Sequence, residues 1–252
     1  YGGFKYCTIN NNTEMEITSI FGNYGEYIKS RENINVPEVG SLPVTSIGEN
    51  AFQNTSNART VDTPNVERIG NYAFDSTNIE KVIIPNVKSI GESAFANDRK
   101  LTSVDMPKVE SIGKQAFYLC NISCLQMPNV KYIDDYAFHI NENLTSVEIP
   151  NVISIGQGAF ASCSKLSSIS SMPDATFIGS KAFYHCKKLE SVDMPNVTSI
   201  GDESFESCTS LTSVTFPKVT SIGNMSFLWC TSLTSVKIPK SVTSIGEYAF
   251  YK

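Results

Sequence analysis

The sequence lacks several features that would indicate a function. It contains no run of five or more lysines and arginines, and its 252 residues carry a formal net charge of −5. The basic footprint of a nucleic-acid binder is therefore missing, and docking on anionic lipid is disfavoured. No stretch approaches the roughly 20 apolar residues that span a bilayer. We expect no nucleic-acid partner and no direct membrane insertion.

The two ends of the sequence also lack expected features. The opening segment, YGGFKYCTINNNTEMEITSIF, has neither an initiator methionine nor the apolar core of a signal peptide. The sequence stops two residues after its last repeat motif, at Tyr251 and Lys252. We interpret both ends as trimmed, and we expect the C-terminus to be truncated and targeting signals to be lost.

An internal repeat dominates the rest of the chain. A segment of the form V-x-x-I-G-x-x-(A/S)-F recurs with spacings of 21 to 23 residues, and a second element, L-x-x-V-x-(I/M/F)-P, lies between its copies. Its phenylalanines are Phe52, Phe74, Phe95, Phe117, Phe138, Phe160, Phe183, Phe205, Phe227 and Phe250. One unit cannot bury its own apolar face, whereas stacked units form a continuous apolar ladder. The repeat predicts a β-rich, right-handed solenoid of about ten coils.

The alternation of residue types predicts which side chains point inward. Within one coil, Val104 and Met106 should face the interior while Ser103 and Asp105 face solvent. Phe117 should fill the wide end of the coil. Gly113 is expected where the backbone must bend without a Cβ.

Residues 1–36 lack the repeat. They carry strand-like runs over residues 14–21 and 24–29, around an asparagine-rich turn at residues 10–12. Because the first coil of a solenoid must be covered, we predict that residues 1–36 form an N-terminal β cap and that residues 37–252 form the solenoid.

The repeat unit resembles that of a known family. The pattern C-x-x-L-x-x-V-x-M-P-x-V-x-S-I-G-x-x-A-F, with Ser204 in place of the alanine in residues 186–205, is similar to the BspA-like, or Treponema pallidum-type, leucine-rich repeat. The local departures are Asp134 for the glycine, Ala175 for the first valine, and Ser204 and Ser226 for the alanine.

The resemblance covers roughly residues 37–252. It implies a curved leucine-rich-repeat solenoid with a parallel sheet, in a bacterial or protist protein that is secreted or on the cell surface. It also implies a family in which some members adhere to host proteins. It implies no shared catalytic residues.

Cysteines recur at one repeat position, three residues after the phenylalanine. The five are Cys120, Cys163, Cys186, Cys208 and Cys230, and Thr55, Thr77, Asp98 and Asn141 take that place in other coils. We predict a buried ladder of small side chains, because a straight column of parallel thiols suits neither tetrahedral zinc nor disulfide geometry. Cys124 should be the exposed thiol, and Cys7 lies in the cap.

Few residues could support catalysis. His139 and His185 fall two coils apart, about 10 Å, which is too far to share a metal, and both are expected to be exposed turn residues. No nucleophile elbow occurs, and the repeat accounts for the abundant serines. We expect no enzyme activity, no metal and no cofactor.

Two surfaces are candidates for binding a partner. The outward position after the repeat valine holds Asp62, Asp105, Glu148 and Asp193, which would line the concave face as in related repeats. These residues mark either a solvated sheet face or a shallow surface for a basic or polar partner. Tyr118, Tyr184 and Trp229 lie at turn positions, where they either pack locally or form an interface edge.

The sequence therefore favours a non-enzymatic protein-binding or adhesion module of a cell-surface or secreted protein. The expected partner is a protein, for which a host or matrix protein is the implied class. The alternative is a structural spacer that carries another functional domain. The sequence leaves the oligomeric state open.

Overall fold

The computed structural model describes residues 4–9, 14–20, 33–35 and 42–252, and within them it contains strands and turns but no helix. The strands are numbered β1 to β21 in chain order and fall into two sets. Twelve of them form one sheet, called the isoleucine sheet here. They are β1 (Phe4–Ile9), β2 (Glu14–Ile20), β4 (Val44–Ile47), β6 (Arg68–Ile69), β8 (Ser89–Ile90), β10 (Ser111–Ile112), β12 (Tyr132–Ile133), β14 (Ser154–Ile155), β16 (Phe177–Ile178), β18 (Ser199–Ile200), β20 (Ser221–Ile222) and β21 (Ser244–Ile245).

The second set, called the valine strands here, comes from the L-x-x-V-x-(I/M/F)-P element and its equivalent before the first repeat. Its strands form three shorter sheets, which contain four, three and two strands. They are β3 (Asn33–Asn35), β5 (Thr60–Asp62), β7 (Lys81–Ile83) and β9 (Ser103–Asp105); β11 (Cys124–Gln126), β13 (Ser146–Glu148) and β15 (Ser168–Ile169); and β17 (Ser191–Asp193) and β19 (Ser213–Thr215).

Equivalent residues of successive coils pair with each other. Ile112 lies opposite Ile133 in the isoleucine sheet, and Val61 lies opposite Val82 among the valine strands. All these coil-to-coil pairings are parallel, as a solenoid requires. The predicted parallel-sheet solenoid is confirmed.

The core is a column of stacked rings. The repeat phenylalanines, from Phe52 to Phe250, stack in nine successive pairs with ring centroids 4.9 to 5.5 Å apart and interplanar angles of 10° or less. Met106 is buried and Val104 packs half-buried against the core, while Ser103 and Asp105 are exposed. The predicted inward and outward positions are correct.

The turns around each phenylalanine depend on left-handed backbone. The residues two before and two after the ring have positive φ, such as Gln115 (55°) and Leu119 (56°). The amides of Gln115, Phe117 and Leu119 then donate to carbonyl oxygens of the next coil, at 2.8 to 3.0 Å. We infer that these bonds offset the cost of left-handed φ at residues that are almost never glycine.

The repeat glycine has a different role from the one expected. Gly113 does not have positive φ. A Cβ there would lie 2.7 Å from the carbonyl carbon of Gly91, which is closer than non-bonded carbons approach. Glycine is favoured at this repeat position by the close contact between coils and not by a bend.

The structure describes part of residues 1–36. Strands β1 and β2 form an antiparallel pair, β2 continues the isoleucine sheet beside β4, and β3 pairs in register with β5. The predicted strand over 14–21 corresponds to β2, whereas the expected turn at 10–12 and strand at 24–29 lie outside the described residues. Assignment of residues 1–36 as a cap stays a proposal.

The phenylalanine column predicts a large effect of truncation. Phe138→Ala removes a fully buried ring that stacks on both neighbours, and we expect a loss of about 3 to 5 kcal/mol in the free energy of unfolding. Urea denaturation measures this loss. Ser191→Ala, at an exposed strand position, is the control and should change stability by less than about 0.5 kcal/mol. Similar values for both variants would contradict the role of the column.

Candidate binding surface

The four predicted acidic residues lie on the outward side of the valine strands. Asp105, Glu148 and Asp193 are exposed, and Asp62 is half-buried. They occur in every second coil, about 10 Å apart, so the structure places them in one column without bringing the carboxylates together. This column of alternate coils is called the acidic column below.

Strand pairing is interrupted within this face. β9 and β11 belong to different sheets, and a shallow groove of about 390 Å³ lies where they meet. Asp105, Cys124, Gln126 and Glu148 are among its lining residues, and Cys124 is exposed as predicted. This groove lies beside the acidic column, and it remains open to solvent.

The three predicted aromatic residues at the turn edge differ in exposure. Trp229 is 48% exposed. Tyr118 is half-buried and stacks on His139 at 5.6 Å, and Tyr184 stacks on His185 at 4.1 Å with Lys181 Nζ 5.9 Å from its ring. Trp229 is open to solvent, whereas the two tyrosines take part in local packing.

The two histidines are half-buried, so the expectation that both are exposed is wrong. His139 Nδ1 lies 2.8 Å from the carbonyl oxygen of Ala161. Partial burial and nearby Lys187 lower the pKa of His185. The stacking tyrosines cover the rings, which the sequence pattern alone did not indicate.

The five repeat cysteines form the predicted buried ladder, and all seven cysteines are free. Each buried Sγ lies 3.1 to 3.3 Å from the carbonyl oxygen of the phenylalanine in the preceding coil, and donates a weak hydrogen bond to it. Burial raises the pKa of Cys163 to about 12, and it shifts the pKa values of the other four in the same direction. These thiols are therefore protonated and structural at neutral pH.

One member of this column was not recognised as unusual from the sequence. Asp98 is fully buried, accepts a hydrogen bond from Thr77 Oγ1 at 2.7 Å, and has no hydrogen-bond partner for Oδ2. Desolvation raises the pKa of Asp98 to about 8, although the hydrogen bonds from Thr77 act to lower it. At neutral pH the carboxyl is therefore mainly protonated, and its Oδ2 has no carbonyl partner of the kind that the cysteines have in other coils.

Asn141 occupies the same repeat position with a neutral amide. Its Nδ2 donates to the carbonyl oxygens of Phe117 and Phe138, at 2.8 and 3.0 Å, and its Oδ1 accepts from the amide of Ile122. An amide supplies both a donor and an acceptor without ionising.

Clusters that could hold a metal ion are absent from the part of the chain that the structure describes. No group of three or more histidine, cysteine, aspartate or glutamate side chains there has the necessary arrangement, and no helix there is long and apolar enough to cross a membrane.

A second groove lies on the isoleucine sheet, and the exposed rings of Tyr132 and Phe177 are among its lining residues. These two residues were not among those predicted from the sequence. The signal that could have identified them is their departure from the serine that most coils have at this position.

The repeat geometry agrees with that of a known family. The family model described as "BspA type Leucine rich repeat region" matches residues 19–145 and 131–252 in six copies. The chain belongs to this family. The match covers all the coils that carry the acidic column and the turn-edge aromatics.

Solved structures of leucine-rich repeat proteins share the fold. A protein from Bacteroides ovatus is 22% identical, with a TM-score of 0.58 over 99% of this chain and 90% of that chain. A protein from T. pallidum is also 22% identical, with a TM-score of 0.53 over 92% of this chain and 89% of that chain. No curated protein matches the sequence.

Asp98 predicts a dependence of stability on pH. In the unfolded chain its carboxyl ionises near the ordinary aspartate pKa of 3.8, while in the folded chain it keeps its proton until about pH 8. The ionisation of Asp98 alone should therefore lower the free energy of unfolding by about 1.4 kcal/mol for each pH unit between these two pKa values. Asp98→Asn should remove that contribution. The free energy of unfolding of the variant should therefore rise relative to that of the parent as the pH rises from 4 to 8.

Urea denaturation of both proteins between pH 4.5 and 8.5 measures this difference. Asn141→Asp is the complementary variant, and it should introduce a similar pH-dependent loss at the equivalent position. A stability difference between parent and Asp98→Asn that does not change with pH would refute the buried neutral carboxyl.

Proposed function

We propose that this chain is a non-enzymatic protein-binding or adhesion module that uses the outward face of the valine strands. The observation that carries this proposal is the acidic column, which presents three exposed carboxylates and one half-buried carboxylate at a regular interval on a long, open face. Nine valine strands at about 4.8 Å give a face about 40 Å long, which is ample for an interface of about 800 Å² per partner.

The charge of the face supports a basic partner. Between the acidic residues lie Ile83, Gln126 and Ser170, so no lysine or arginine offsets the column at this position between Asp62 and Asp193. Complementary charge steers association and sets orientation. The partner that fits is a protein with a basic surface, and host or matrix proteins are the class that we propose.

The absence of enzyme activity is also part of the proposal. It is supported by the chemistry of the residues that could act as nucleophiles or bases. The repeat thiols are buried and protonated, and the two histidines belong to separate turns where tyrosines cover them. Glycoside hydrolysis needs a pair of carboxyl groups, one of which has a raised pKa. An open serine-rich face supplies no enclosed pocket that would raise it.

Location on the cell surface or secretion is proposed from family membership. Adhesion to a host or matrix protein requires exposure outside the cell, so the two parts of the proposal are consistent. Trp229, exposed at the turn edge, would extend the contact area beyond the valine strands.

Charge reversal in the acidic column tests the proposal. Binding of the purified chain to a panel of purified extracellular-matrix proteins is measured by surface plasmon resonance at low and physiological salt. Asp105→Lys should weaken any specific binding by about tenfold or more, mainly through slower association, because it places a cation at the centre of the face. Trp229→Ala should weaken binding less than Asp105→Lys does, because Trp229 lies at the turn edge and not on the valine strands.

Asp174→Lys is the matched control, since Asp174 is exposed but lies between the two strands of its coil and away from the column. It makes the same charge change and should leave binding within about twofold. Binding that survives both Asp105→Lys and Trp229→Ala would show that neither surface is the interface.

A further inference from the structure

The groove on the isoleucine sheet is lined by Tyr132 and Phe177, which are the two aromatic residues in the outward column of the ten coils that the structure describes. Serine occupies this column in seven coils, and arginine occupies it once. The column reads Ser46, Arg68, Ser89, Ser111, Tyr132, Ser154, Phe177, Ser199, Ser221 and Ser244. Tyr132 is 53% exposed and Phe177 is 45% exposed, with Ser154 between them. Two exposed rings therefore stand on either side of one small residue.

A third departure from the repeat lies at the same place. Asp134 replaces the glycine that every other coil has, although a Cβ at those glycines would lie only 2.3 to 2.9 Å from the nearest atom of the preceding coil or strand. The Asp134 side chain is exposed, and its Oδ1 accepts a hydrogen bond from the amide of Asp135 at 2.7 Å. Asp134 lines the same groove as Tyr132 and Phe177 and is its one charged lining residue.

The spacing of the coils sets the width of the groove. Rings in successive coils of the core stack 4.9 to 5.5 Å apart, so Tyr132 and Phe177, two coils apart, are separated by about 10 Å. A six-membered ring above Ser154 would lie about 5 Å from each, within the 4.5 to 7 Å range of ring stacking. The groove has a volume of about 310 Å³, at the lower end of small-ligand sites.

We propose that this groove binds one neutral pyranose ring of a glycan. The C–H faces of the sugar would contact the two aromatic rings, and its hydroxyl groups would donate to the Asp134 carboxylate and exchange hydrogen bonds with Ser154. The site is independent of the proposed protein-binding face, because it lies on the other sheet of the solenoid.

The polar groups favour a sugar over a cationic side chain. The hydroxyl groups of Ser154 and Tyr132 both donate and accept, and a polyol satisfies both roles. A guanidinium or ammonium group only donates, so it would use these hydroxyl groups as acceptors alone. The carboxylate of Asp134 disfavours acidic sugars by charge repulsion.

The test is a titration of the ¹⁵N-labelled chain with methyl pyranosides of glucose, galactose and mannose, each beside its uronic acid counterpart. At least one neutral glycoside should bind at millimolar concentration and shift the amide signals of residues that line the groove. Its uronic acid counterpart should bind more weakly.

Variants that restore the repeat residue keep the fold while removing the site. Tyr132→Ser and Phe177→Ser should each weaken binding roughly two- to tenfold. Asp134→Gly should weaken it and reduce discrimination against the uronic acid. Ser154→Tyr should abolish binding, because its ring would fill the gap.

Asp105→Lys, on the valine strands, is the control and should leave sugar binding unchanged, which separates this site from the proposed function. Absence of binding by every neutral glycoside would overturn the proposal, as would binding that survives Tyr132→Ser and Phe177→Ser. Tighter binding of N-acetyl-arginine amide than of any glycoside would assign the groove to a cationic side chain and would also overturn it.

Discussion

The structure depends on the coil-to-coil hydrogen bonds that hold equivalent residues in register about 4.8 Å apart. Backbone amides and carbonyls of successive coils pair along both strand sets and through the turns, so each repeat position becomes a straight column. Each side chain therefore contacts the side chains at the equivalent positions of the preceding and following coils. Phenylalanine stacks on phenylalanine, and cysteine stands in line with cysteine.

This constraint explains which columns tolerate variation. In the phenylalanine column any smaller residue would leave a cavity between two rings, and all ten coils keep the ring. The cysteine column also accepts threonine, aspartate and asparagine, which are all small. The cysteines and Asn141 donate to a carbonyl of the preceding coil, whereas Thr77 donates to Asp98. Burial in this column removes the Asp98 carboxyl from water, and that desolvation accounts for its raised pKa.

Much of the fold could be predicted from the sequence, because the repeat spacing identifies the columns and strand alternation gives their direction. Val104, Met106, Asp105 and Cys124 all point as expected. The role of the repeat glycine could not be predicted, since it depends on how closely Gly113 approaches the backbone at Gly91. The positions of the histidines also depend on contacts between turns, which a pattern within one coil does not contain. Whether the acidic column and turn-edge aromatics bind a partner stays a prediction.

The binding surfaces are harder to predict, because outward columns carry no packing requirement and their residues look like ordinary surface variation. The repeat nevertheless provides an internal standard. Serine occupies most outward positions of the isoleucine sheet, so a small polar side chain is sufficient for the fold at this position. An aromatic residue is therefore not needed there for packing. Exposing the rings of Tyr132 and Phe177 gains no core burial, and Asp134 stands where close contact otherwise favours glycine. Departures that the repeat does not require, and that meet in one groove, are the ones for which ligand binding gives a physical reason.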